Sequence, residues 1–123
     1  MQARCALNPM GESPLKAFVR QAFSENGILA TKYPAYERRD DQARMALDVA
    51  EALETGKPVL IEAGTGIGKS LAYLVPLIYW ATENRKRVVI STYTKALQDQ
   101  LFTKDLPSLR AVLGINFAYT CLF

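Results

Sequence analysis

Followed for the spacing of apolar and polar positions, the chain divides into helical stretches separated by short apolar runs. "MQARCALNPMGE" carries no period and reads as a leader over residues 1–12. In "SPLKAFVRQAFSENG", Leu15, Phe18, Val19, Ala22 and Phe23 recur at three- and four-residue intervals, the spacing of one helix face. Ser13 can cap that helix, Pro14 suits its first turn, and Gly27 is placed to close it. "ILATKYPAYERRDD" then reads as a connector, so residues 13–35 form an N-terminal helix with its link. "DQARMALDVAEALETG" is a second helix, with Met45, Val49, Ala52 and Leu53 on one face and Gly56 at its end.

"KPVLIEA" and "RVVIST" are short apolar runs that read as buried parallel strands. Between them lie a glycine-rich turn and "KSLAYLVPLIYWATEN", a helix whose apolar face is broad enough to cover a sheet. Pro76 inside it predicts a bend or a break. The two strands are about thirty residues apart, the spacing of a right-handed βαβ unit. "TKALQDQLFTKDLPSLRAVLG" is mostly helical with an interruption near Pro107, and "INFAYTCLF" begins a third strand. Alternating strand and helix predict the α/β class, a parallel sheet covered by helices.

The glycine-rich turn narrows the chemistry. From Ala63 to Ser70 it reads A-x-x-x-x-G-K-S, with Gly64, Thr65, Gly66, Ile67 and Gly68 inside. Between a strand and a helix, such a turn points successive backbone N–H groups inward at the positive end of the helix dipole, which makes an anion site. Lys69 is then a point charge for the β and γ phosphates, and Ser70 offers a hydroxyl to Mg²⁺; these two are the candidate catalytic residues.

Composition removes other chemistries. The sequence has no histidine, so neither a Ser-His-Asp triad nor a histidine metal site can be built from it. Cys5 and Cys121 are far apart and read as reduced thiols. No stretch approaches the ~20 apolar residues of a membrane span, and the start lacks the apolar core of a secretory signal, so the expected location is cytoplasmic. A net charge of +3 is too small to indicate a polyanion partner, and Arg85, Lys86 and Arg87 read as a solvated loop before a strand.

Three segments, "YERRDDQARMALDVAEAL", "LIEAGTGIGKSLAYLVPLI" and "VVISTYTKALQDQLFTKDLPSL", in this order and spacing, closely resemble the start of the DinG and XPD-like iron–sulfur DNA helicases of superfamily 2. The resemblance spans roughly residues 25–123 and implies a RecA-like P-loop fold over residues 36–123, incomplete in this chain, with ATP and Mg²⁺ as cofactors. It matches Gln42 to the adenine-reading glutamine, a role its amide suits because it can both donate and accept. Arg39 would support the adenine or ribose side, and Tyr36 would stack on the base. Ser91, Thr92, Thr94 and Lys95 match the motif that touches the backbone of single-stranded DNA, although Thr92 or Thr94 can also serve as helix caps. Gln98 and Gln100 read as helix-surface residues.

The family's 4Fe-4S ligands would fall just beyond Phe123, which leaves Cys121 as a packing residue. The carboxylate pair that organises the attacking water, and the second RecA-like domain, are likewise expected outside these residues. The reading is therefore the N-terminal part of an ATP-dependent helicase acting on single-stranded or forked DNA. A different P-loop enzyme, such as a small-molecule kinase, or a non-catalytic nucleotide- or DNA-binding module are the alternatives.

Overall fold

A computed structural model of the chain describes residues 11–64, 66 and 68–122. The leader up to residue 10, Cys5 within it, Thr65 and Ile67 of the glycine turn, and Phe123 lie outside the described residues. The elements run in the order α1 (Pro14–Ala22), α2 (Ile28–Lys32), α3 (Asp40–Thr55), α4 (Lys69–Asn84), α5 (Lys95–Gln100), a π-helical segment (Leu101–Asp105) and α6 (Leu106–Leu113).

α1 begins as its sequence predicts. The Ser13 hydroxyl accepts from the Lys16 N–H at 3.1 Å, and Leu15, Val19 and Ala22 are buried. Its end differs: the helix stops at Phe23, and Gly27 instead caps the start of α2, a short helix within the stretch read as connector. A glycine is required there for proximity, since a Cβ would lie 2.0 Å from the Gln21 carbonyl oxygen and 2.8 Å from that of Ala22. Both obstacles are backbone, so neither can swing aside. Gly27→Ala is expected to cost roughly 2–3 kcal/mol, the range of overpacking. In the full-length protein this would lower the unfolding midpoint of this domain by about 5–10 °C; an unchanged midpoint would show that the turn relaxes freely.

α3 starts with Asp40 and Asp41 at the positive end of its dipole and ends on Gly56 in the left-handed conformation (φ 70°). Its buried line is Gln42, Ala46 and Ala50, each four residues from the next, and it packs chiefly on α4. The small side chains of Ala46, Ala50 and Ala72 permit a close approach of the two helices. The face read from the sequence, Met45, Val49, Ala52 and Leu53, is only half-buried. Three of those four line an open groove with Val59 and Trp80.

α4 runs through Pro76 without interruption, so of the expected bend or break the break does not occur. The proline leaves the Ala72 carbonyl without its helical donor, but Pro76 is fully buried and its packing offsets that loss. Arg85 ends the helix with φ 53°, and Arg85, Lys86 and Arg87 are exposed, as a solvated loop requires. The interruption expected near Pro107 appears as the π segment just before it. There the Leu106 N–H bonds to the Leu101 carbonyl, a wider turn that relieves the clash a proline ring makes with the preceding turn.

The core is helical. Val19, Phe23, Leu29, Leu74, Val75 and Leu109 are its largest fully buried members apart from Pro76. Phe18 stacks on Tyr79 with ring centroids 4.4 Å apart, an ion pair joins Lys16 to Glu51, and Arg38 donates to the Phe23 carbonyl and to Asp40 at 3.1 and 2.7 Å.

No strand occurs among the described residues, and the expected parallel sheet is not formed there. Leu60 is 98% exposed and Val89 91% exposed, so these apolar runs lie open rather than between helix layers. A strand's backbone groups are satisfied only by a neighbouring strand, and none of the three runs is paired with another. Residues 115–122 instead lean on the last helices: Arg110 donates to the Phe117 carbonyl and covers the Tyr119 ring. Gln98, read as a surface residue, is half-buried and donates to the Leu122 carbonyl at 3.1 Å and to the sulfur of Cys121. Cys121 is half-buried and forms no disulfide among the described residues. Among the described residues no helix is long and apolar enough to cross a membrane.

Candidate nucleotide site

The glycine turn enters α4 through two left-handed residues, Gly66 (φ 82°) and Gly68 (φ 78°). L-residues rarely adopt either angle, which is the local reason for glycine at both. Gly68 is the N-cap of α4, yet no side chain caps the helix and its first turn holds no acidic residue. The N–H groups at this end of a 16-residue helix are therefore available to an anion. Lys69 is exposed at the first helical position, and among the described residues no carboxylate pairs with it. Ser70 follows and is half-buried. Open N–H groups, a free ammonium and one hydroxyl fit a polyphosphate with its divalent cation. Among the described residues no group of three His, Cys, Asp or Glu could hold a metal.

Beside this loop is a cavity lined by Tyr33, Ala35, Tyr36, Glu37, Arg39, Gln42, Gly66, Gly68 and Leu71. The structure thus brings Tyr36, Arg39 and Gln42, singled out in the sequence, to one hollow with the glycine turn. Gln42 is 2% exposed. Its Oε1 accepts from the Tyr36 hydroxyl at 2.6 Å, and its Nε2 donates to the Gly68 carbonyl at 3.1 Å. The amide ties the Tyr36 side of the hollow directly to the glycine turn, and one N–H and one lone pair of it remain unused by these two bonds. Burial pushes the Tyr36 hydroxyl pKa up, partly offset by the charge of Arg38, so the phenol stays protonated and can donate to Gln42. Arg39 is the N-cap of α3 and pairs with Glu37 at 3.4 Å.

Sequence reasoning did not single out Tyr33, Ala35, Glu37 or Leu71 in this wall. Ala35 has φ 55°, an uncommon angle for a residue with a Cβ, and the preceding Pro34 was the available sign of a turn. Ser91, Thr92, Thr94 and Lys95 do not line the cavity. They gather at the start of α5, where Thr94 caps the helix by accepting from the Leu97 N–H at 3.2 Å. Thr92 donates to the Thr94 carbonyl at 3.2 Å, and Lys95 lies 3.9 Å from Asp99. The capping role foreseen for Thr94 is therefore present, while Ser91 and Lys95 remain exposed.

A glycine turn of left-handed residues opening a helix, with a free lysine and hydroxyl and an adjoining hollow, defines the class of phosphate-loop nucleotide-binding proteins. Within that class the chain belongs to the DEAD/DEAH box helicase family, whose model matches residues 41–120. Membership implies a RecA-like phosphate-loop fold and the use of ATP with Mg²⁺. The chain is 46% identical over 91 residues to the ATP-dependent DNA helicase YoaA of Escherichia coli, covering 74% of this chain and 14% of that protein. It is 47% identical over 97 residues to the ATP-dependent DNA helicase DinG of Salmonella typhimurium, covering 77% and 13%. To the 3'-5' exonuclease DinG of Bacillus subtilis it is 40% identical over 104 residues, covering 77% and 11%. It spans less than one sixth of the length of each of these relatives.

Proposed function

We propose that the full-length protein is an ATP-dependent DNA helicase, and that these residues hold its adenine, phosphate and first DNA contacts. The observation that carries this reading is the joining of the base-side hollow to the phosphate loop through Gln42, in a chain of helicase sequence. The backbone N–H groups of Gly64, Gly66, Gly68, Lys69 and Ser70 cradle the phosphates. Lys69 neutralises the β and γ oxygens, Gln42 and Arg39 hold the base side, and Tyr36 packs on the base. The Ser70 hydroxyl would be the protein ligand of the Mg²⁺ that accompanies the nucleotide, an ion that would supply positive charge against the phosphates.

Ser91, Thr92, Thr94 and Lys95 meet the backbone of single-stranded or forked DNA, which suits short hydroxyls and one salt-sensitive charge. In the complete RecA-like domain, the three apolar runs that are unpaired here form parallel strands. The remaining catalytic carboxylates, a second RecA-like domain and a 4Fe-4S cluster belong to the rest of the cytoplasmic protein.

The test is unwinding of a forked DNA duplex by the full-length protein with ATP and Mg²⁺. ATP-dependent strand separation supports the reading; DNA-independent phosphoryl transfer to a small acceptor would replace it with a kinase. Residues 1–123 alone are expected to bind nucleotide weakly and to turn over none, checked by phosphate release.

A further inference from the structure

The Gln42 side chain is buried, so an amide turned the wrong way round would leave its polar ends unsatisfied with no water to repair the loss. The last torsion of a glutamine is broad and roughly two-fold, and its NH₂ and C=O ends have nearly the same shape. The orientation of the amide must therefore come from its neighbours. The Gly68 carbonyl can only accept, and it lies 3.1 Å from Nε2, so the NH₂ end faces the glycine turn. Turned over, Oε1 would meet that carbonyl as a second buried acceptor. Oε1 is left facing the Tyr36 hydroxyl, which donates to it at 2.6 Å. Tyr36 reaches the amide from the segment before α3, on a turn that Ala35 makes at φ 55° and that the Tyr36 N–H closes on the Tyr33 carbonyl at 3.3 Å. Tyr33, Ala35, Tyr36, Gln42 and Gly68 all line the one hollow.

Bonds at both ends hold the amide plane, whereas the Gly68 bond alone would let it swing about Nε2. With both made, a donor remains at the Gly68 end and an acceptor at the Tyr36 end, in a fixed order. The matching ligand edge carries an acceptor opposite Nε2 and a donor opposite Oε1. N7 and the 6-amino group of adenine supply that pair, while N7 and O6 of guanine are both acceptors. Resting on the proposed function above, we infer that Tyr36 is a positioning residue whose hydroxyl locks the Gln42 amide in the order that takes a 6-aminopurine nucleotide and rejects a 6-oxopurine one. This role is separate from the packing of the Tyr36 ring on the base, because it needs the hydroxyl and acts through Gln42.

The experiment uses full-length protein, wild type and Tyr36→Phe, a substitution that keeps the ring and removes only the hydroxyl. KM and kcat are measured for ATP and for GTP, with Mg²⁺ and saturating single-stranded DNA. Tyr36→Phe is expected to lower the preference for ATP over GTP in kcat/KM about three- to tenfold, the net worth of one hydrogen bond, with the loss in KM for ATP rather than in kcat. In a Gln42→Ala background the same substitution should leave the preference where Gln42→Ala alone puts it. An unchanged preference in Tyr36→Phe overturns the inference. A fall in kcat shared by both nucleotides, with the preference intact, also overturns it, since that marks a merely structural role. So does an equal effect of Tyr36→Phe with and without Gln42, because the hydroxyl would then act without the amide. Wild-type protein that hydrolyses ATP and GTP alike overturns the inference and leaves the helicase reading standing. Wild-type protein that hydrolyses neither removes the helicase reading, and this inference with it.

Discussion

Lys69→Ala in the full-length protein is expected to leave the fold intact and to lower ATP turnover about 100- to 1,000-fold, the usual cost of removing one donor aimed at developing charge. The two halves of this result have separate causes. Lys69 is exposed and, among the described residues, pairs with no carboxylate, so the substitution breaks no structural contact. Alanine at the first turn of α4 also has better intrinsic helix propensity, and the unfolding midpoint should move by no more than about 2 °C. The function lost is electrostatic. In the proposed site the Lys69 ammonium at the α4 N-terminus would meet the β and γ phosphates, so ATP affinity should fall more than ADP affinity, and turnover more than either. Phosphate release and titration with both nucleotides check this. Turnover equal to wild type would show that the loop is a remnant and would favour the non-catalytic alternative.

What could be read in advance follows the range of the interactions involved. The glycine turn was legible because its causes are local: a left-handed Gly68, a helix behind it and a lysine at the first position are all specified within eight residues. The caps of α1 and α3 were legible for the same reason, since Ser13 reaches only to Lys16 and Gly56 only to Ala52. Gly27 was misplaced because its glycine is demanded by the carbonyls of Gln21 and Ala22 across a turn, a proximity that no periodicity reports. The runs around Val59 and Val89 carry a strand pattern, but a strand exists only when another pairs with it, and sequence pattern alone does not supply the neighbour. The burial of Asp105, the last residue of the π segment, was invisible for a related reason. Its burial comes from the packing of the π segment against α4 and α6, which no local spacing reports.

Gly68→Ala carries the largest expected structural effect within the site, because two independent penalties fall on one methyl group. The residue sits at φ 78°, ψ 49°, where a Cβ costs roughly 1–2 kcal/mol. That Cβ would also lie 2.2 Å from Nε2 of Gln42. Gln42 is a flexible side chain, but it is buried and held at both ends, by the Tyr36 hydroxyl and the Gly68 carbonyl. Moving it strands buried polar groups at a further cost of roughly 1–3 kcal/mol. The phosphate loop and the base-side wall would separate together, and nucleotide affinity is expected to fall at least about 30-fold, a change of ~2 kcal/mol. Gln42→Ala separates the two penalties. In the Gly68→Ala, Gln42→Ala double variant the steric conflict is gone and only the backbone strain and the lost amide remain. The losses should therefore be less than additive by about 1 kcal/mol, the coupling expected of residues in contact. Full additivity would mean that Gln42 yields without cost and that its bonds to Tyr36 and Gly68 do not hold the loop.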